Sequence, residues 1–123
     1  MTTFGAEPGA ALVAAIAGRD YARLASTLSP DVRMRALIPP GTVEVSGAKA
    51  AAARFSAWFG DAEELELVRS GSDPVSDRMH VFYRLRVRKP GNPRMVVEQH
   101  LLCACSDEGI VTLDLVCSGF RPA

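Results

Sequence analysis

Three ionisable side chains interrupt the apolar stretch VVEQHLLCACSDEGIVTLDLVCSGF, which runs from Val96 to Phe120: Glu98, His100 and Asp114. A histidine that titrates near neutrality and a carboxylate beside it can divide the removal and the delivery of a proton. Isomerisation, aldol cyclisation and dehydration next to a carbonyl all need those two steps. Apolar walls would raise the carboxyl pKa, and a cationic partner would oppose that rise. His100 and Asp114 are therefore the candidate acid–base pair, with Glu98 and Tyr21 as supporting hydrogen-bonders. Glu, His, Thr and Asp alternating along two strands is equally what the solvated face of an antiparallel sheet looks like.

Hairpin register decides whether the pair can meet. SDEGI (Ser106 to Ile110) predicts a three-residue loop, Asp107-Glu108-Gly109, with Gly109 in the left-handed conformation of a bulge. Ser106 then pairs with Ile110, Leu102 with Asp114 and His100 with Val116. On that register Glu98, His100, Leu102, Thr112, Asp114 and Val116 share a face, and His100 and Asp114 are diagonal neighbours roughly 7–8 Å apart. A four-residue loop would pair Cys105 with Ile110 and put the two on opposite faces.

The elements that must carry this hairpin are legible in outline. Pro8 suits a first helical turn, Leu12, Val13 and Ile16 give an apolar stripe, and Gly18 is a stop. Asp20 can cap a second helix with Tyr21, Leu24, Ala25 and Leu28 on one side, ended by Ser29-Pro30. Val32 to Ile38 alternates as a strand, and PPGT (Pro39 to Thr42) breaks it. Ser46 caps a third helix, Ala48 to Phe59, with Ala51, Phe55, Trp58 and Phe59 on one side and Gly60 at its end. Strands follow: Glu64 to Arg69, a polar loop from Ser70 to Asp77, Met79 to Lys89, the turn Pro90 to Pro93, and the hairpin. Helices, one strand, a helix and a four-stranded antiparallel run make an α+β pattern.

Within HVFYRLRVRK (His80 to Lys89) the arginines share the even positions with His80 and Phe82, so that face lies outside a core. Whether it is also the His100 face depends on a register that the Pro90 turn leaves open. Tyr21, Phe55, Trp58, Phe59, Phe82 and Tyr83 can line a pocket or form the core. Arg33, Arg35, Arg84, Arg86 and Arg88 can meet an acidic or phosphate-bearing ligand, or can keep a sheet face soluble.

A chain of 123 residues predicts one domain spanning 1–123. Acidic and basic residues balance at 14 each, which excludes a general nucleic-acid binder with its basic excess. The run from Gly9 to Gly18 is too short to span a bilayer, and no Lys or Arg precedes Arg19 to start a secretion signal. The 3 cysteines, Cys103, Cys105 and Cys117, form neither a four-ligand zinc set nor an even disulfide framework. They predict reduced, packed thiols and a cytoplasmic protein.

Taken together, DYARLASTLSPDVRM (Asp20 to Met34), SGAKAAAARFSAWF (Ser46 to Phe59) and the Val96 to Phe120 hairpin resemble the nuclear transport factor 2-like superfamily, in its SnoaL-like (polyketide-cyclase-like) branch. The resemblance covers nearly the whole chain. It implies a cone-shaped α+β barrel, a curved mixed or antiparallel sheet wrapped around three N-terminal helices, with a pocket in its mouth and frequent homodimerisation. It also implies cofactor-independent chemistry on a small hydrophobic carbonyl compound. SnoaL-like cyclases use a His and an Asp on the closing strands, matched here by His100 and Asp114; Tyr21, Phe55, Trp58, Phe59, Tyr83 and Glu98 would line the site. The steroid-isomerase pattern of an Asp near the end of the first strand is missing, since Ala36 to Val45 has only Glu44. The Arg–Asp pair of the epoxide hydrolases is missing from Glu98 to His100. Because such folds host many activities and none, a non-catalytic homodimeric ligand-binding or scaffold module stands beside the enzyme.

Overall fold

A computed structural model describes residues 7–123. The reading that no Lys or Arg precedes Arg19 falls partly on residues 1–6, outside the described residues. Three helices come first: α1 (Glu7–Ala17), α2 (Tyr21–Thr27) and, after a β-hairpin, α3 (Ala48–Phe59). That hairpin is β1 (Leu28–Ile38) and β2 (Gly41–Ser46); then follow β3 (Glu64–Val75), β4 (Arg78–Arg88), β5 (Arg94–Ser106), β6 (Gly109–Cys117) and the short β7 (Arg121–Pro122). No helix among the described residues is long and apolar enough to cross a membrane.

The strands form one sheet in the order β2-β1-β6-β5-β4-β3, with β7 added to the start of β5. All pairings are antiparallel except β1 with β6, so the sheet is mixed. Its edges, β2 and β3, do not meet; the cone is open and not a closed barrel. The helices lie against its concave side, α1 on β3 and β4 and α3 on β1.

Alternation builds this side. Met79, Val81, Tyr83, Leu85 and Val87 of β4 point inward and are buried, as are Val97, Gln99, Leu101 and Cys103 of β5. They meet Leu12 and Ile16 of α1, Leu24 of α2, and Phe55 and Phe59 of α3. Full burial of one such apolar side chain stabilises by about 1.5–3 kcal/mol.

Several boundaries differ from the sequence reading. Asp20 caps α2 as expected, accepting from the Arg23 amide at 3.1 Å, but the helix ends at Thr27. Leu28, Ser29 and Pro30 already belong to β1. The cap of α3 is Gly47 and not Ser46. Gly41 to Ser46 is a strand that β1 templates, where the sequence reading placed a break over Pro39 to Thr42 and no strand after it.

The largest difference is β3. Of Ser70 to Asp77, read as a polar loop, Ser70 to Val75 continues the strand and pairs with β4 from Tyr83 to Arg78; the turn is only Ser76-Asp77. The partner strand supplies the hydrogen bonds regardless of local propensity. Pro74 is tolerated because β3 is an edge. Gly71 faces Phe82 so closely that a Cβ there would lie 2.5 Å from the ring.

Candidate functional site

The hairpin register combines features of both sequence alternatives. Leu102 pairs with Asp114 and His100 with Val116, as expected. The loop, however, is two residues, Asp107-Glu108; Ser106 pairs with Gly109 and Cys105 with Ile110. Val111 is then an extra residue in β6, a bulge that restores the register at Ala104 and Thr112. Gly109 has φ +111°, and a Cβ on it would stand 2.8 Å from the Thr27 carbonyl oxygen. Glycine is required there both for conformation and for the approach of the α2–β1 junction.

His100 and Asp114 therefore share a face, and it is the outer one. Phe82 pairs with His100 and Arg84 with Glu98, so the arginine face of β4 and the His100 face of β5 are continuous. Rows cross the sheet: His80, Leu102, Asp114, Arg35; next to it, Phe82, His100, Val116, Leu37. The side chains of His100 and Asp114 are 45% and 49% exposed.

Each has a partner other than its supposed one. Asp114 Oδ1 accepts from Arg35 Nε at 3.1 Å, across the parallel β1–β6 pair. His100 Nε2 lies 2.8 Å from Glu98 Oε2, and its Nδ1 lies 3.0 Å from His80 Nε2. A carboxylate can only accept, so in the neutral imidazole Nε2 carries the proton and Nδ1 accepts from His80. The His80 and His100 ring planes lie within 11° with centroids 5.2 Å apart. With the nitrogens at 3.0 Å, that is edge-to-edge contact, since rings stacked face to face at this separation would hold those atoms farther apart. Phe82 adjoins both rings, and the Arg69 guanidinium lies 5.5 Å from the Phe82 centroid.

Glu98 is the hub. The hydrogen bond from His100 and then that from Arg84 at 2.9 Å hold its carboxyl below the usual range, against partial desolvation. Arg69 adds an ion contact at 3.8 Å. Farther along, Arg86 pairs with Glu66, and Arg88 with Glu64 at 3.2 Å and Glu63 at 3.1 Å. Beside Asp114 an open depression of about 390 Å³ is lined by Arg35, Leu37, Thr42, Glu44 and Val116 among others.

The expected binding set is divided by the sheet. Glu98 is outside with His100. Phe55, Phe59 and Tyr83 are fully buried on the concave side, and Tyr21 and Trp58 are half-buried there. Trp58 meets Phe55 and Phe59 edge-on at 5.2 and 6.3 Å, and Phe59 meets Phe120 at 6.3 Å, the geometry of core packing. The Tyr21 hydroxyl is buried with no hydrogen-bond partner among the described residues, and burial raises its pKa.

Inside, the structure shows a polar row that sequence reasoning passed over. The Tyr83 hydroxyl donates to Gln99 Oε1, and Gln99 Nε2 donates to Cys117 Sγ at 3.3 Å, which also accepts from the Gly119 amide at 3.3 Å. Burial pushes the Tyr83 pKa well above its ordinary value and that of Cys103 up to about 12. The signal was present: Gln99 is a polar residue at an inward position between Val97 and Leu101. Among the described residues no group of three or more His, Cys, Asp or Glu side chains is placed to hold a metal ion.

These features define the class: an open α+β cone with the nuclear transport factor 2-like fold. Neither a family model nor a curated protein matches the sequence. Solved structures do match the fold. A protein of ketosteroid isomerase-like fold from Catenulispora acidiphila DSM 44928, in complex with trimethylamine, superposes with TM-score 0.74 at 16% identity, over 93% of this chain and 85% of that one. An LEH-like epoxide hydrolase from M. tuberculosis gives 0.64 at 15% identity, over 91% and 80%. A de novo designed protein with a curved β-sheet gives 0.64 at 14% identity, over 94% and 89%. The architecture is thus shared by a hydrolase and by a designed chain, and function has to be argued from side chains.

Proposed function

We propose that this chain is a cytoplasmic, non-catalytic binding or scaffold module that pairs with a second copy through the outer face of its sheet. One observation carries the reading. His100 and Asp114, the expected proton-transfer pair, lie on that open face, each bonded elsewhere, among the exposed apolar side chains of Leu37 (56%), Leu102 (41%) and Val116 (55%). Leu37 and Val116 are direct partners in the sheet, so the apolar surface is continuous. Both signs of charge share the face, Arg35, Arg84 and Arg86 against Glu66, Glu98 and Asp114. A two-fold copy can therefore set arginine against carboxylate. Sedimentation equilibrium of the whole chain tests this: twice the chain mass is expected, and Val116→Asp with Leu102→Asp should return it to one. A wild-type chain that stays monomeric throughout the accessible concentration range would remove the reading.

A second reading, an isomerase or cyclase step on a small hydrophobic carbonyl compound, is favoured by the depression beside Asp114. A carbonyl compound seated there should shift the Asp114 and Val116 amide resonances and turn over more slowly with Asp114→Asn. Turnover unchanged in that variant would take Asp114 out of the chemistry.

A further inference from the structure

The end of the outer face that carries the Ser76-Asp77 and Asp107-Glu108 turns holds a second feature. Arg33 pairs with Thr112, and Thr112 with Ala104. Arg78 opens β4 one residue before the Met79–Cys103 pair, which sets it opposite Ala104. Two arginines thus stand on either side of a hydroxyl, and the strand between them presents only a methyl. A depression of about 190 Å³ opens there, lined by Arg33, Arg35, Arg78, Thr112 and Asp114.

The charges in it do not balance. Arg35 holds Asp114 at 3.1 Å. The ion pair of Arg78 is with its exposed chain neighbour Asp77, at 3.9 Å. Among the described residues Arg33 makes no ion pair with a carboxylate. Arg84, Arg86 and Arg88, on the same face, each hold a glutamate. Elsewhere on β3, β4 and β5 the arginines are neutralised across strands, and here the sheet gathers them around an open space.

We infer that this depression binds a phosphate-type oxyanion carried by a small ligand. Guanidinium forks match the oxygens of such a group bidentately, and the Thr112 hydroxyl can donate one further bond. Asp114 stays on Arg35, which keeps its carboxylate turned to a cation. The site lies one row beyond Asp114 and two beyond the Leu37–Val116 pair, so it stands independently of the dimer reading.

The probe is inorganic phosphate, titrated into the whole chain and followed by backbone amide resonances at an ionic strength of about 0.1 M, where long-range attraction is screened. Saturable shifts centred on Arg33, Arg78 and Thr112 are expected. Arg33→Gln and Arg78→Gln should each weaken binding about tenfold. Thr112→Val should weaken it with the charge unchanged. Arg86→Gln, the same charge change on the same face, should leave it as it was. Thermal melts confirm that these surface variants stay folded. The titration is repeated on Val116→Asp at a dilution where sedimentation gives one chain mass, so that coverage by a second copy cannot hide the site. Shifts that never saturate in either protein, that spread evenly along Arg84 to Arg94, or that fall equally with Arg86→Gln would overturn the inference and leave an exposed basic surface only.

Discussion

Replacing Tyr83 with phenylalanine deletes one oxygen from a fully buried row, and its cost should depend on what stands opposite. In the wild type the Tyr83 hydroxyl donates to Gln99, whose amide donates to Cys117. Tyr83→Phe leaves Gln99 Oε1 without that donor in an environment where Gln99 is 1% exposed. An unsatisfied buried acceptor costs about 1–3 kcal/mol. Gln99→Leu strands the tyrosine hydroxyl instead and should cost a similar amount, offset in part by the added apolar contact. With both changed, the remaining thiol still accepts from the Gly119 amide at 3.3 Å, and the double variant should lose only about 0–1 kcal/mol. The cycle should therefore show a coupling of about 2–5 kcal/mol, the sum of the two single costs less that of the double. Urea unfolding of the four proteins at one concentration measures it, read as midpoints at constant m-value. Additive costs, or a Tyr83→Phe chain as stable as the wild type, would refute the idea that this row is one interlocked polar unit.

Three further outcomes follow from the same geometry. Burial raises Tyr83 above its ordinary 10.0 and Cys103 from 9.0 to about 12, so the unfolded chain releases these protons first. Their stabilisation is full below pH 9 and lost as pH rises through the alkaline range; Tyr83→Phe and Cys103→Ala should flatten that loss in unfolding measured against pH. Glu98 runs the other way: the bonds from His100 and Arg84 lower its carboxyl from 4.5, so its contribution is present above that pH and fades as pH falls below it. Glu98→Gln should make the acid slope of stability shallower. Gly109→Ala places a Cβ 2.8 Å from the Thr27 carbonyl oxygen at φ +111°, and a loss of about 2–4 kcal/mol in urea unfolding is expected.

The parts of the fold that were legible are those whose signal is local. The period of two in His80 to Lys89 and the stripes of α1 and α3 report which residues an element must bury, and Asp20 announces its own cap. β2 and the second half of β3 were not legible, because their hydrogen bonds come from β1 and β4 and not from their own Gly-, Ser- and Pro-containing sequences. At the site, the common face of His100 and Asp114 was read correctly, while the loop that produces it has two residues and a bulge at Val111 in place of three residues. His80 was placed on the arginine face but not read as a neighbour of His100, and the role of Gln99 at an inward position of β5 was not drawn out.

By itself, then, the sequence determined the α+β order, the inward and outward sets along β4, β5 and β6, and the need for glycine at position 109. Alternation sorts side chains onto two faces but carries no information about which strand lies alongside. Only the tertiary structure decided that the Lys89–Pro93 turn joins the His100 face to the arginine face, and that parallel pairing brings Arg35 to Asp114 from 79 residues away. The first is a register that the turn residues do not spell out, and the second joins strands far apart along the chain, where no local signal reaches. They turn an apparent acid–base pair into two members of a charged outer lattice, and they leave the buried polar row to Tyr83, Gln99 and Cys117.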